Sequence, residues 1–336
     1  MHLCRRFAGE GGTNSVASRM ALSGALIISL FSMTAVFGAE VRKTTLTYKK
    51  VDNLEILADI YRDESDQIQP VLVWIHGGAL ISGNREGIDR RFRKEFCGNG
   101  VILVSIDYRL APETQLPEII ADIEDAFRFI RERGPKLFHA DPSRIAVAGG
   151  SAGGYLTLTA GFRVQPRPVA LVPLYGYGNL IAPWYTEPSL HPRHNAEKVD
   201  RDDALKQVSG QPIADDRNRS GSGGTFYMYC RQHGIWPKSV SGWDPRTDAA
   251  KFYPFMPIRN VTTDYPPTLL LHGDQDTDVP YSESSEMAEE MAKHNVEHRL
   301  IRLSGGEHGF GGADPQAVQN AYQEAFQFLR EKLNVR

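Results

Sequence analysis

Apolar residues fall into two patterns along this chain. Some form short unbroken runs bounded by glycine, proline or charge, and others recur every third or fourth position over longer stretches. The runs are rich in Val, Ile and Leu and too short for buried helices, so they predict strands covered on both faces. The periodic stretches predict helices with one apolar face. In chain order, Thr44–Tyr48 and Leu54–Ile60 predict an opening hairpin, and strands follow at 70–76, 101–107, 144–148, 168–174, 268–272 and 297–303. Helices are predicted between them at 88–98, 117–133, 152–163, 282–294 and 315–333, with Pro117 suited to the first turn of its helix. This alternation implies an α/β fold: a mostly parallel central sheet with helices on both faces.

The alternation breaks after Tyr175 and resumes near Pro267. The intervening stretch of about ninety residues is too long for a plain loop. It holds a polar Gly/Ser-rich tract from Arg201 to Gly224 and an aromatic-rich remainder including Trp184, Tyr185, Phe226, Tyr227, Trp236 and Trp243. It is expected to form a cap, about 176–262, inserted over the carboxyl ends of the strands. Its aromatics are expected mainly to form the cap's own small core.

Composition narrows the classes without choosing among them. At 336 residues, 41% hydrophobic and 24% charged, the chain is long enough for one large α/β domain. A formal charge of −3 with no basic run argues against nucleic acid as a partner. No metal-ligand spacing occurs, so neither metal nor cofactor is expected, and there is no signal for oligomeric state. At the N-terminus, Arg5, Arg6 and Arg19 precede the apolar stretch Ala21–Phe37, and Gly38-Ala39 follows. Basic head, apolar middle and small residues at the end predict a secretory signal over 1–38, cut after Gly38, with residues 39–336 as the catalytic domain. The product is expected to be secreted or periplasmic, with no stable membrane partner; at 17 residues the apolar stretch is marginal for an uncleaved anchor. Cys97 and Cys230 could pair in an oxidising compartment, though nothing in the sequence requires it.

Candidate chemistry centres on Gly149-Gly-Ser-Ala-Gly153, between an apolar run and a helical stretch. A serine hydroxyl is a poor nucleophile unless a tight strand-to-helix turn exposes its oxygen, and flanking glycines tolerate that backbone. Ser151 is therefore the candidate nucleophile. His76-Gly-Gly-Ala79 ends the strand Val71–Ile75, where small residues let backbone N–H groups approach a developing oxyanion. Gly77 and Gly78 are the expected donors, joined by Ala152, the residue after the serine. After the run Thr268–Gly273 comes Asp274-Gln-Asp276-Thr-Asp278, and His308 stands among glycines beyond the last predicted strand. The order serine, acid, histidine suits a triad built at the carboxyl ends of parallel strands. His308 would act as general base and Asp276 would orient it, with Asp274 and Asp278 as alternative acids in the same loop. His76 and His272 end apolar strands and are expected to be hydrogen-bonded structural residues.

Five segments in order, His76-Gly-Gly-Ala79, Asp107-Tyr-Arg-Leu-Ala-Pro-Glu113, Gly149–Gly153, His272-Gly-Asp-Gln-Asp276 and His308-Gly-Phe310, resemble the α/β-hydrolases. The resemblance runs from about residue 44 to the C-terminus and points to the hormone-sensitive-lipase-like and feruloyl- or acetyl-esterase-like branch. One departure is Gly150, where lipase-like relatives often carry an acidic residue. The resemblance implies an α/β-hydrolase fold and a serine carboxylesterase acting on small-molecule or oligosaccharide esters, with short-chain, sugar or aryl groups. Two alternatives stand beside it: a prolyl-oligopeptidase-like peptidase, which shares the triad order, and a non-catalytic binding protein on the same scaffold.

Overall fold

A computed structural model describes residues 41–335, Ser209 excepted. The leader expected over 1–38 lies outside the described residues. The strands are β1 (Val41–Val51), β2 (Leu54–Asp63), β3 (Gln69–Ile75), β4 (Ile102–Ile106), β5 (Ala140–Gly150), β6 (Ala170–Leu174), β7 (Thr268–Gly273) and β8 (His298–Leu303). They form an 8-stranded sheet in the order β1-β2-β4-β3-β5-β6-β7-β8. The hairpin β1/β2 and its junction with β4 are antiparallel, and every later pair is parallel.

Period-two alternation in the central strands divides the core between two faces. Val71, Val73 and Ile75 of β3 point into a cluster with helices α2 (Leu116–Phe138) and α3 (Ala152–Arg163), while Leu72 and Trp74 join the opposite one. That second cluster contains Phe92 and Phe96 of α1 (Arg90–Phe96) and Tyr322 and Phe326 of the C-terminal helix, Pro315–Leu333. Phe92 meets Phe326 edge to face at 5.1 Å. Burial on both faces is what continuous apolar strands require, each fully buried aliphatic or aromatic side chain contributing about 1.5–3 kcal/mol.

Two boundaries lie four or more residues from expectation. The helix predicted to stop at 133, before Gly134-Pro135, continues to Phe138 and ends at His139 in the left-handed region. Phe138 is buried against the core, and that burial outweighs the one backbone hydrogen bond that Pro135 removes. The strand predicted from 144 begins at Ala140, which pairs with Gln69 before the register shifts and pairing resumes at Val71 with Ile145.

Between β6 and β7 lie short helices: α4 (Pro183–Thr186), α5 (Pro192–Asn195), α6 (Arg201–Lys206), α7 (Gly224–His233), α8 (Trp236–Ser241) and α9 (Ala249–Phe252). Beyond β7 come α10 (Ser282–Lys293) and α11 (Pro315–Leu333). The aromatics of this inserted segment pack mainly on one another: Trp184 stacks on Tyr185 at 3.6 Å and Tyr185 on Trp236 at 3.9 Å. The polar tract 201–224 fastens the segment to the core. Asp216 accepts from the Gly83 N–H at 2.8 Å, and Arg219 donates to the Ala111 carbonyl at 2.7 Å while pairing with Glu113 in a buried contact. Cys97 and Cys230 are both free thiols.

Candidate active site

Strand β5 ends in a turn that forces Ser151 to φ 57° and ψ −122°, a region side chains avoid, immediately before the first residue of α3. Only glycine fits on either side: a Cβ at Gly149 would lie 2.5 Å from the Ile75 carbonyl oxygen, and one at Gly153 only 2.0 Å from it. The serine N–H is held by the Leu174 carbonyl at 2.9 Å, so the strain is supported by the sheet. Gly150 also has a local reason. A Cβ there would meet the Tyr175 hydroxyl at 2.7 Å, so tyrosine fills the space a larger residue would take.

His308 Nε2 stands 3.0 Å from Ser151 Oγ, and its Nδ1 is 2.7 Å from Asp276 Oδ2. The other carboxylate oxygen, Oδ1, accepts from the backbone N–H groups of Asp278 and Val279, both at 2.9 Å. Burial opposes ionisation of Asp276, but hydrogen bonds from His272 and His308 outweigh it and hold the carboxyl down to about 2. The histidine loop is tied to the acid loop through Glu307, which accepts from the His308 N–H at 2.9 Å and from Thr277 Oγ1 at 2.6 Å. Tyr175 packs edge-on against the His308 ring at 4.7 Å.

Of the alternative acids, Asp274 faces away, bonded to Arg302 at 2.9 Å and the Gly305 N–H at 2.8 Å. Asp278 comes no closer to His308 Nε2 than 3.8 Å. His272 is buried, with Nε2 3.0 Å from the Val279 carbonyl and Nδ1 2.7 Å from Ser284 Oγ. It is the structural residue expected, with a further duty toward Asp276 at 3.3 Å.

Beside the serine, the loop after β3 runs through three consecutive positive-φ residues, Gly78 (104°), Ala79 (56°) and Leu80 (62°). A Cβ at Gly78 would fall 2.1 Å from the Ser82 carbonyl oxygen, so glycine is compulsory there. The loop is aimed from behind. Tyr108 Oη donates to the His76 and Gly77 carbonyls at 3.1 and 3.3 Å, and His76 Nδ1 donates to the Gly77 carbonyl at 2.8 Å. In a trans peptide the N–H points opposite to the carbonyl, so anchoring these two oxygens turns the N–H groups of Gly77 and Gly78 the other way. Among the described residues neither N–H has a protein acceptor. Ala152 is the first residue of α3, where an N–H has no partner within its own helix. Burial keeps the His76 imidazole neutral, its pKa lowered to about 4. Trp236 Nε1 fixes the same loop from the inserted segment, donating to the Ala79 carbonyl at 2.9 Å.

Ser151 and His308 open on a cavity of about 520 Å³ that is also lined by Gly77, Gly78, Tyr175 and Tyr227. Among the described residues, no cluster of three or more His, Cys, Asp or Glu is placed to hold a metal ion. Sequence reasoning passed over Tyr108, Tyr175 and the contacts of Trp236. Only the Asp107-Tyr-Arg segment carried a signal, and its function becomes visible when the tyrosine is seen behind the glycine loop.

Residues 72–311 match the family model for the alpha/beta hydrolase fold. A non-reducing polyketide synthase of Stereocaulon alpinum is 27% identical over 308 residues, covering 80% of this chain and 12% of the synthase. The chain thus spans about an eighth of the length of such curated relatives. A Staphylococcus aureus protein of unknown function superposes with a TM-score of 0.69 at 22% identity, over 86% of this chain and 99% of that one. An acetyl ester-xyloside bifunctional hydrolase from Caldicellulosiruptor lactoaceticus gives 0.62 at 20% identity, over 86% and 96%. With the family match spanning well over half its length, the chain belongs to the alpha/beta hydrolase fold family.

Proposed function

We propose that the protein is a serine carboxylesterase acting on short-chain, sugar or aryl esters. The observation that carries this reading is the relay from Asp276 through His308 to Ser151, at 2.7 and 3.0 Å, ending on a serine in a strained turn. His308 takes the Ser151 proton as the oxygen attacks the ester carbonyl, and Asp276 holds the imidazole tautomer and stabilises the imidazolium. The N–H groups of Gly77, Gly78 and Ala152 receive the oxyanion. The leaving alcohol takes the proton from His308, and a water activated by the same imidazole then hydrolyses the acyl-enzyme. The solved hydrolase of acetyl esters and xylosides supports the ester class by likeness of fold alone.

The test pairs a covalent probe with a substrate screen. A fluorophosphonate is expected to label the protein stoichiometrically at Ser151. Among p-nitrophenyl esters, kcat/KM is expected to peak from acetyl to butyryl and to fall by octanoyl, since a cavity of about 520 Å³ shared with the alcohol has little room for a long chain. Absence of labelling, or an optimum at ten or more carbons, overturns the reading.

A further inference from the structure

Asp278 lines the cavity with Ser151 and His308, yet it is tied to the inserted segment. Its Oδ1 accepts from His194 Nε2 of α5 at 2.9 Å and from Tyr227 Oη and Arg231 Nη1 of α7 at 2.7 and 3.0 Å. That oxygen is saturated. The other, Oδ2, takes no hydrogen bond among the described residues. Its nearest titratable or charged neighbours are His308 Nε2 at 3.8 Å and Arg193 Nη2 at 3.9 Å, and Arg193 is engaged with Glu307 at 3.2 Å. The residue is only 8% exposed, so the carboxylate is rigid as well as unpaired on its cavity side. Among the cavity residues the only other carboxylate is Asp89, which accepts from Tyr322 Oη at 2.9 Å and caps α1; neither Lys nor Arg lines the space.

The geometry points to Asp278 as a specificity-determining residue whose Oδ2 accepts a hydrogen bond from a donor on the substrate's alcohol portion. This rests on the esterase reading above. His308 Nε2 is where the leaving oxygen collects its proton, so an acceptor 3.8 Å from that nitrogen faces atoms one or two bonds beyond the ester oxygen. An alcohol with a hydroxyl on the adjacent carbon satisfies Oδ2. An alkyl group leaves it desolvated and unpaired, and a carboxylate in the same place meets like charge.

The test uses three acetates of nearly equal size: 2-hydroxyethyl acetate, n-propyl acetate and acetoxyacetate. Each kcat/KM is divided by the ester's alkaline hydrolysis rate to remove intrinsic reactivity. Wild type is expected to favour the hydroxyethyl over the propyl ester by about tenfold and to disfavour acetoxyacetate by at least as much, as a hydrogen bond to a charged group implies. In Asp278→Asn the amide oxygen takes the place facing His194, Tyr227 and Arg231, and the amide nitrogen turns to the cavity, exchanging an acceptor for a donor. The hydroxyethyl preference is expected to fall to about one, and acetoxyacetate to gain about tenfold on the propyl ester. A purely structural role for Asp278 would lower all three rates together and leave the ratios alone, and that result overturns the inference. If the variant fails to melt cooperatively, the wild-type ratio alone decides, a value near one overturning the inference. Turnover of all three esters at equal normalised rates counts against Asp278 only. No turnover of any, with no fluorophosphonate labelling, overturns the esterase reading as well.

Discussion

Among the described residues, two constellations of serine, histidine and aspartate have both links at 3.0 Å or shorter, and they differ instructively. In one, Ser151, His308 and Asp276 are linked at 3.0 and 2.7 Å. In the other, Ser189 Oγ is 2.8 Å from His194 Nδ1, whose Nε2 is 2.9 Å from Asp278. Distances alone do not separate them. The imidazole of His194 is reversed and its side chain wholly buried, whereas that of His308 is 13% exposed to the cavity. Asp278 spends the same oxygen on Tyr227 and Arg231. Ser189 does not line the cavity, and its hydroxyl also accepts from the His191 N–H. Only Ser151 combines a strained turn, a helix beginning at the next residue and a neighbouring loop with unclaimed N–H donors. The surroundings, more than the three side chains, make a nucleophile.

The comparison breaks most sharply at the serines. Ser151→Ala is expected to lower kcat/KM on p-nitrophenyl acetate about a millionfold, and Ser189→Ala by less than about threefold. Peptide mass spectrometry after fluorophosphonate treatment should find the adduct on Ser151 only; more than about a tenth of the activity in folded Ser151→Ala would undo the contrast. The acids come next. Asp276→Asn is expected to cost about ten-thousandfold in kcat through the wrong imidazole tautomer, and Asp274→Asn no more than about threefold. Steady-state kinetics on the pair decides it, and a large loss in Asp274→Asn would reassign the relay. Tyr108→Phe, which releases the His76 carbonyl and leaves the Gly77 carbonyl to His76 Nδ1 alone, is expected to lower kcat about tenfold with KM little changed, because the proposed oxyanion donors are the groups it aims. A change confined to KM would remove Tyr108 from that task.

The smallest effect concerns acid stability. The Asp276 carboxyl sits at about 2 in place of its ordinary 3.8, since hydrogen bonds from His272 and His308 overcome burial. Between those values the unfolded chain binds the proton and the folded one does not. The contribution, about 2 kcal/mol, is therefore constant above pH 3.8 and lost as pH falls through about 2. Thermal melts of wild type and Asp276→Asn should differ by less at pH 2 than at pH 5. A difference that does not change with pH would place the stabilisation elsewhere.

Much of this was legible in the sequence because the relevant signals are local. Unbroken apolar runs marked the buried strands, and Gly149–Gly153 marked the turn that bears Ser151, for steric reasons the Ile75 carbonyl makes concrete. Asp276 and His308 could be named because each follows a strand. The inserted segment was legible only as an interruption: α4, α5 and α9 are single turns of 4 residues, too short for any periodicity to register. Hence His194, Tyr227 and Arg231, far apart in sequence from Asp278, gave no sign that they converge on it. The helix expected to end at 133 runs on for the opposite reason, since the burial of Phe138 overrides the local break that Pro135 would make.

The bond from Trp236 to the Ala79 carbonyl, with those from Arg219 to Ala111 and from Gly83 to Asp216, bears on how such a protein can be remodelled. The inserted segment holds the loop that carries the proposed oxyanion donors, so it is no interchangeable module. A chimaera carrying a relative's insertion on this core would keep Ser151, His308 and Asp276 in register and still lose the bonds to Ala79 and Gly83, just beyond Gly77 and Gly78. Recombination between family members is therefore expected to succeed where the crossover keeps Trp236, Arg219 and Asp216 together with the loop they grip, and to yield folded but sluggish enzymes where it separates them.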